Sequence, residues 1–527
     1  MNRLWSWLLL TACAAQAWSA SGAETFKLSR AEYLDRVHAM WVGQIAAVLA
    51  AWPFEHQTAS TLSITNYPKK YAIAPVDDDW YYEMVAVRAF EKHGIGLTVE
   101  QLGDHWKENA CGSWGSSEQA RLNLAKGVKP PDTGHPRYNK LWFTIGPQFS
   151  ADVYGALAPG MPNVAGRLAR EFGHINGYAE GADGAVFMAA MVSLGFAETS
   201  SHDIVRKAAQ LIHPSSPYRK CLDLVISMAD AGASFEEIVN AVEDRWHIEY
   251  PATNNAVPNG GIVAASVWFG DGDFLKTVNL AARAADFTDA DCNAANAAAV
   301  VGAMRGLKGI PAHFVAQLGD RIKGEKMGPV TLTPPVDESI TELARRTVAV
   351  GEKFLAKHGA KLEGEAWIIP PQKIEAQPAE LFSLSDLAKF WNPDWKLERA
   401  GFGGAGGGMG GIRGITHLDG EVLATYPRDE VRGLVLRRSA KLSSAPSLQL
   451  TVGADAGRAW ELNVYADNKL LEKRVIEGGT EGGRRWHEIK VDLAEFAGRQ
   501  THLRLYQRVL VPNRVAGNAY WKIAILN

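Results

Sequence analysis

Cysteine is scarce: the 527 residues contain four, Cys13, Cys111, Cys221 and Cys292. None forms a C-x-x-C pair, which excludes the common structural zinc frameworks. With Cys13 in the N-terminal segment, three remain, so at most one internal disulfide can form, and the spacing demands none. Net charge is also nearly absent: 55 Lys and Arg against 58 Asp and Glu leave −3. There is no basic stripe or acidic tail, so nothing points to nucleic acid or an anionic membrane surface. Beyond the N-terminus no uninterrupted apolar run has membrane-spanning length. No G-x-S-x-G elbow occurs and no Ser-His-Asp set can be argued. The glycine-rich stretch GFGGAGGGMGGIRG lacks a GK[ST] ending, so it is not a phosphate-binding loop.

What is present is ample core material, with 47% hydrophobic and 21% charged residues. The length suggests roughly two to four domains. Seventeen tryptophans is a high count. Such a surplus fills cores, and it also suits sugar binding, because a pyranose face packs on an indole. The N-terminus reads as an export signal over residues 1–23: MNR is positive, LWSWLLLTACAAQAW is apolar, and SGA before Glu24 is a cleavage site. The mature protein is then expected in the periplasm or secreted. A second reading takes Leu10-Thr11-Ala12-Cys13 as a lipoprotein box, with a lipid anchor at Cys13.

Residues 28–330 read as an all-α domain. AEYLDRVHAMWVGQIAAVLAAW starts with helical spacing and becomes apolar all round, as a buried helix does. VAGRLAREFGHING, DGAVFMAAMVSLGFAE and CNAANAAAVVGAMRG continue the pattern, and their many alanines and glycines permit close approach. Residues 331–395 read as a linker, one more helix followed by extended chain with proline breaks. Residues 396–527 alternate with period two between glycine, aspartate and proline turns, which predicts a jelly-roll-like β-sandwich. WHEIKVDLAEFAGRQTHLRLYQ resembles the last strands of galactose-binding-like modules appended to secreted glycosidases, which implies carbohydrate binding.

Acidic residues cluster at three places. Glu55 follows a buried helix in WPFEH; Asp77, Asp78 and Asp79 precede a helix; Asp289 and Asp291 stand two apart before an alanine-rich helix. An aspartate before a helix commonly caps it, and helix starts stabilise negative charge. Caps alone explain only part of so many acids.

The surrounding sequence resembles the ADP-ribosylglycohydrolase family. That family opens with a helix ending in P-x-E, here WVGQIAAVLAAWPFE. Its T-D-D-T motif corresponds to Val76-Asp77-Asp78-Asp79. Its final D-T-D, followed by a small-residue helix, corresponds to DADCNAANAAAVVGAMRG, and one branch carries D-T-D-C-N there. The intervening IGPQFSADVYGALAPGMPNVAGRLAREFGHINGYAEGADGAVFMAAMVSLGF resembles the central region of the same branch. The resemblance implies an all-helical fold with two magnesium ions, or manganese, in a central cleft. By position, Asp77, Asp78, Asp289 and Asp291 would ligate metal, with Glu55 a further ligand or the acid/base. Glu55 and Asp289 are the catalytic candidates. Hard oxygen donors fit magnesium better than zinc.

The chain departs from the family at Val76 and Cys292, where threonines are expected, and at Asp79, an added carboxylate that is a ligand, a supporting acceptor or a cap. Asp152, His174, Asn176, Glu180 and Trp114 are candidate substrate contacts, each with a packing or capping reading beside it. Asn254, Asn255 and Asn259 read as turn residues in a segment bordering the cleft. Asp271 and Asp273 read as a turn before a helix. Two substrate classes stay open, a saccharide and an ADP-ribosyl conjugate. Export and the tryptophans favour the saccharide; a basic phosphate patch beside the cleft would favour the other. A non-catalytic glycan-binding protein with a degenerate metal site and a structural envelope lipoprotein are the remaining alternatives.

Overall fold

The computed structural model describes residues 25–57, 61, 63–247, 254–284, 288–403 and 414–527. The segment 1–23, with Cys13, lies outside the described residues.

The chain begins with a strand, Phe26–Ser29, and a long helix, Arg30–Ala51. Ser29 starts that helix by accepting a hydrogen bond on Oγ from the Glu32 amide at 3.1 Å, an ordinary N-cap. From Ala39 onward every residue of the helix is buried. The stretch Arg30–Phe54 is long and apolar enough to cross a bilayer, yet 78% of its apolar window is covered by the rest of the chain. Its hydrophobic surface is used in packing.

The main partner of this helix is Ala290–Arg305. Small residues bring the two backbones together. A Cβ on Gly302 would fall 2.5 Å from the Ala39 carbonyl oxygen, so only glycine allows this approach. Ala39 faces 302 and Gly43 faces Ala298, so the helices run antiparallel. The end of the first therefore meets the start of the second. That register carries Trp52 and Glu55 to Asp289 and Asp291, residues more than two hundred positions apart.

The helical domain continues beyond the boundary at 330 drawn from the sequence. A hairpin pairs Ile322–Met327 with Val330–Glu338. Helix Ile340–Lys357 then packs on the first helix, where Trp41 Nε1 donates to Thr347 Oγ1 at 3.2 Å and Arg30 pairs with Glu352. Strands Lys361–Glu363 and Ala366–Ile369 join Phe26–Ser29 in an antiparallel sheet. One apolar core thus runs from Leu28 to Ile369. The physical reason is a pair of needs: the N-terminal strand needs a partner, and the Ile340, Leu343 and Phe354 face needs cover.

Residues 370–383 are extended and fastened to the helices. Asn163 Nδ2 donates to the Lys373 carbonyl at 2.7 Å, and the Gln377 amide donates to the Leu211 carbonyl at 2.7 Å. Glu380 accepts from the Ala179 amide at 2.6 Å and meets His174 Nε2 at 2.8 Å.

A β-sandwich follows. One five-stranded sheet is ordered Arg485–Asp492, Ser447–Ala454, Ala519–Leu526, Val422–Thr425 and His417–Asp419; the other is Lys469–Glu477, Ala459–Ala466, Gln500–Arg508, Leu434–Lys441 and Lys396–Glu398. All pairings within them are antiparallel. Inward residues of the two sheets form a second core, centred on Trp460 and Trp521, one from each sheet, 5.1 Å apart. The sandwich touches the helical domain through Phe402, which packs on Phe143 at 4.3 Å between ring centroids. Cys111, Cys221 and Cys292 are all buried and free.

Candidate metal centre and active site

The antiparallel helix pair ends at a pocket of about 200 Å³. Glu55, Asp77, Asp78, Asp289 and Asp291 all line it, so three segments distant in sequence converge there. Trp52, Trp114 and Phe149 supply aromatic wall, and Ser116, Ser117, Thr144 and Asn254 supply small polar groups.

Asp77 caps the helix Asp78–His93 by accepting from the Asp79 amide at 3.3 Å. The cap leaves the first-turn carboxylates close: oxygens of Asp77, Asp78 and Asp79 lie within 4.8 Å of one another. A second such group joins Asp289, Asp291 and Cys292 within the same limit. Asp79 is turned inward and buried. Its Oδ2 accepts from the Cys292 thiol at 3.3 Å, which joins the two groups. Two of the three departures noted in the sequence, Asp79 and Cys292, are thus in contact with each other. Asn254 donates to Asp289 Oδ2, and Asn259 accepts from the Asp289 amide at 3.3 Å.

The electrostatics are unfavourable for the carboxylates taken alone. Burial raises the carboxyl of Asp78, and Asp77 and Asp289 raise it further. Asp79 rises through burial and then Asp77 and Asp291; Asp291 rises through burial and then Asp289 and Glu55. Asp77 and Asp289 are raised chiefly by burial. No Lys or Arg stands among the described lining residues to relieve this repulsion. Asp79 Oδ1 and Asp289 Oδ1 are buried without a hydrogen-bond partner, although buried polar atoms normally have one. Crowded hard oxygens, unpartnered oxygens and a described lining without Lys or Arg fit a divalent metal site.

The other candidates fall in different places. Trp114 lines the pocket and packs against the turn of the 322–338 hairpin at Gly328. Asn176 supports the wall from behind, donating to Ser117 Oγ at 2.9 Å. A Cβ on neighbouring Gly146 would lie 2.7 Å from Asn176 Nδ2 and 2.4 Å from Ser116 Oγ, so this wall is closely fitted. Asp152, His174 and Glu180 are not among the lining residues. Asp152 is fully buried against Asn296. His174 is engaged by Glu380 of the connector. Glu180 opens on a separate cleft at the junction with the sandwich, with Trp142, Phe402 and Arg432. Asp273 caps the helix Phe274–Ala282, as a turn residue does.

Several positions at the site were not singled out from the sequence, among them Trp52, Thr144 and His56. Trp52 stands half exposed at the pocket mouth. Thr144 enters through a loop that bridges to Asn255. His56 takes a positive φ of 53° and places Nε2 at 3.1 Å from Glu55, while its amide donates to the Thr288 carbonyl at 3.0 Å. This bond fixes the Glu55 loop to the residue preceding Asp289. A lone histidine after a glutamate carries no spacing signal that would have marked it.

A family model described as ADP-ribosylglycohydrolase matches residues 29–354. A solved structure described as an ADP-ribosylglycohydrolase-related protein complex superposes with a TM-score of 0.41 at 15% identity, covering 61% of this chain and 99% of that one. A family GH115 4-O-methyl-alpha-glucuronidase with specificity for decorated arabinogalactans gives a TM-score of 0.16 at 11% identity, covering 65% of this chain and 40% of the other. Both likenesses are too loose to inform on activity. No curated protein matches the chain. The family match covers well over half of the sequence, ends inside the helix that packs on the first, and contains all five pocket carboxylates: the chain belongs to the ADP-ribosylglycohydrolase family.

Proposed function

We propose that the protein is an exported, magnesium-dependent glycohydrolase that removes a single sugar unit from a saccharide. The observation that carries this reading is the pocket lining: five carboxylates, two tryptophans, and no Lys or Arg among the described lining residues. An ADP-ribosyl group brings a diphosphate, whose recognition calls for cationic donors. Lys69, beside Trp52, sits over the rings of Trp52 and Tyr71 at 6.0 and 5.2 Å. A pocket of about 200 Å³ is of monosaccharide size, and indole walls suit a pyranose face.

Asp77, Asp78, Asp289 and Asp291 would hold two ions, with Asp79 as a supporting acceptor under them. Bound magnesium would polarise sugar hydroxyls and lower the pKa of a coordinated water. Glu55, at the mouth and held by His56, is placed to take a proton from water or give one to the leaving oxygen. Trp52 and Trp114 orient the ring, and the fitted wall of Gly146, Ser116 and Ser117 limits its size.

The test is turnover by the mature chain with magnesium against aryl glycosides, plant and bacterial polysaccharides, and ADP-ribosylated protein. Monosaccharide release that EDTA abolishes supports the proposal. Release of ADP-ribose alone refutes the substrate, and no metal binding by calorimetry refutes the mechanism.

A further inference from the structure

The pocket wall formed by Ser116, Ser117 and the segment 144–146 is backed by the loop 174–181. Asn176 Nδ2 donates to Ser117 Oγ at 2.9 Å, and the Tyr178 amide donates to the Trp142 carbonyl at 3.0 Å. A Cβ on Gly177 would lie 2.4 Å from Pro147 Cγ, and one on Gly181 would lie 2.4 Å from the Trp142 carbonyl oxygen. The loop is therefore pressed against both parts of the wall, with no space for another atom.

The loop is held from outside. Ala179 has φ 45° and ψ −118°, a left-handed backbone that a residue with a Cβ rarely adopts and that persists only where its surroundings impose it. Ala179 is fully buried. What fixes it lies 201 residues further along the chain: Glu380 Oε1 accepts from the Ala179 amide at 2.6 Å. The other oxygen, Oε2, meets His174 Nε2 at 2.8 Å. One carboxylate of the strap thus ties both ends of the loop, through a charge-assisted bond at the strained residue. Arg170 stands beside it, with Nη1 3.7 Å from Glu380 Oε1 and Nη2 paired with Asp183, whose amide donates to the Ala179 carbonyl at 2.8 Å.

We propose that Glu380 is a positioning residue for the pocket: its carboxylate holds the 174–181 loop in the strained form, and the loop holds the wall against which a sugar ring fits. Glu380 is not among the described lining residues, and the pocket carboxylates come from other segments. Its loss should therefore loosen substrate binding and leave the metal centre as it is. The kinetic consequence rests on the saccharide reading above; the coupling of strap to wall does not.

The test is hydrogen exchange of the full mature chain with magnesium, as wild type, Glu380→Ala and Glu380→Gln. The amides of Tyr178, Thr144 and Ile145 are bonded at 3.0, 3.0 and 2.8 Å. In Glu380→Ala they are expected to exchange about tenfold faster, while the amides of Ala290–Arg305 keep their rates. On a saccharide substrate KM should rise about tenfold with kcat changed by less than about twofold, and the magnesium dissociation constant from calorimetry should stay the same. Glu380→Gln keeps an oxygen for the Ala179 amide and should restore most of the exchange protection and of the KM. Should Glu380→Ala not fold, Glu380→Asp, one methylene too short to reach both partners, takes its place. Wall amides that exchange at the wild-type rate, a speeding shared equally by Ala290–Arg305, or an unchanged KM in an active protein overturns the proposal and leaves Glu380 as a fastening of the strap alone. A wild type that turns over no saccharide refutes the saccharide reading, and the exchange rates then decide the role of Glu380 by themselves.

Discussion

Replacing Asp289 by asparagine should stabilise the metal-free protein and at the same time abolish most of its response to magnesium. Oxygens of Asp289 and Asp291 lie within 4.8 Å, and Asp289 is 2% exposed. Two unit charges at that distance repel by about 3 kcal/mol at an effective dielectric near 20. Partial protonation of the cluster reduces this, so a gain on the order of 1–3 kcal/mol is expected without metal. Asparagine keeps an oxygen to accept from Asn254, so the local bond survives. With magnesium at 100 times its dissociation constant, the wild type gains about 2.7 kcal/mol, and the variant gains far less. Thermal melts of both proteins in EDTA and in magnesium give the four values required. A variant that melts below the wild type in EDTA, or responds equally to magnesium, would refute the argument that like charge at this pocket awaits a cation.

Further expectations follow from the same geometry. In EDTA, stability should fall as pH rises above about 4, because the raised native pKa values of Asp78, Asp79 and Asp291 make the folded state hold more protons than the unfolded one; urea titrations at several pH values check this, and magnesium should flatten the trend. Gly302→Val should cost about 3 kcal/mol in urea unfolding, because its side chain meets the Ala39 backbone. On the proposed saccharide substrate, Trp114→Ala should raise KM about tenfold with a smaller change in kcat, since the proposed stacking acts in binding; an unchanged KM would remove Trp114 from the proposed sugar contacts. Phe402→Ala should lower the melting temperature by loosening the wall behind Phe143.

Much of the architecture is legible in the chain. The period-two tail predicts strands, and the helical repeats with small residues predict close-packed helices. The acids could be placed together because the motif order implies one cleft, and the antiparallel register of the first helix with Ala290–Arg305 supplies the physical means. The domain end was not legible. Helix Ile340–Lys357 has the apolar face of any domain helix, but only the fold shows that its partner is the helix of Trp41. Pro334 and Pro335 likewise hide the 322–338 hairpin, because proline weakens a strand signal. His174 and Asp152 illustrate a general limit: their partners, Glu380 and Asn296, lie far along the chain. A polar residue in a helical pattern does not reveal whether it will face a ligand or a distant side chain.

The fastened segment 370–383 has a consequence for how the two halves of the molecule work together. A slack tether would let an appended domain sample a sphere and act without orientation. Here Asn163, Leu211, Ala179 and His174 anchor the strap at successive points, so the sandwich sits at one bearing from the carboxylate pocket. Any ligand held on the sandwich would be presented from a single direction, and lengthening the strap with glycine and serine would trade that aim for reach.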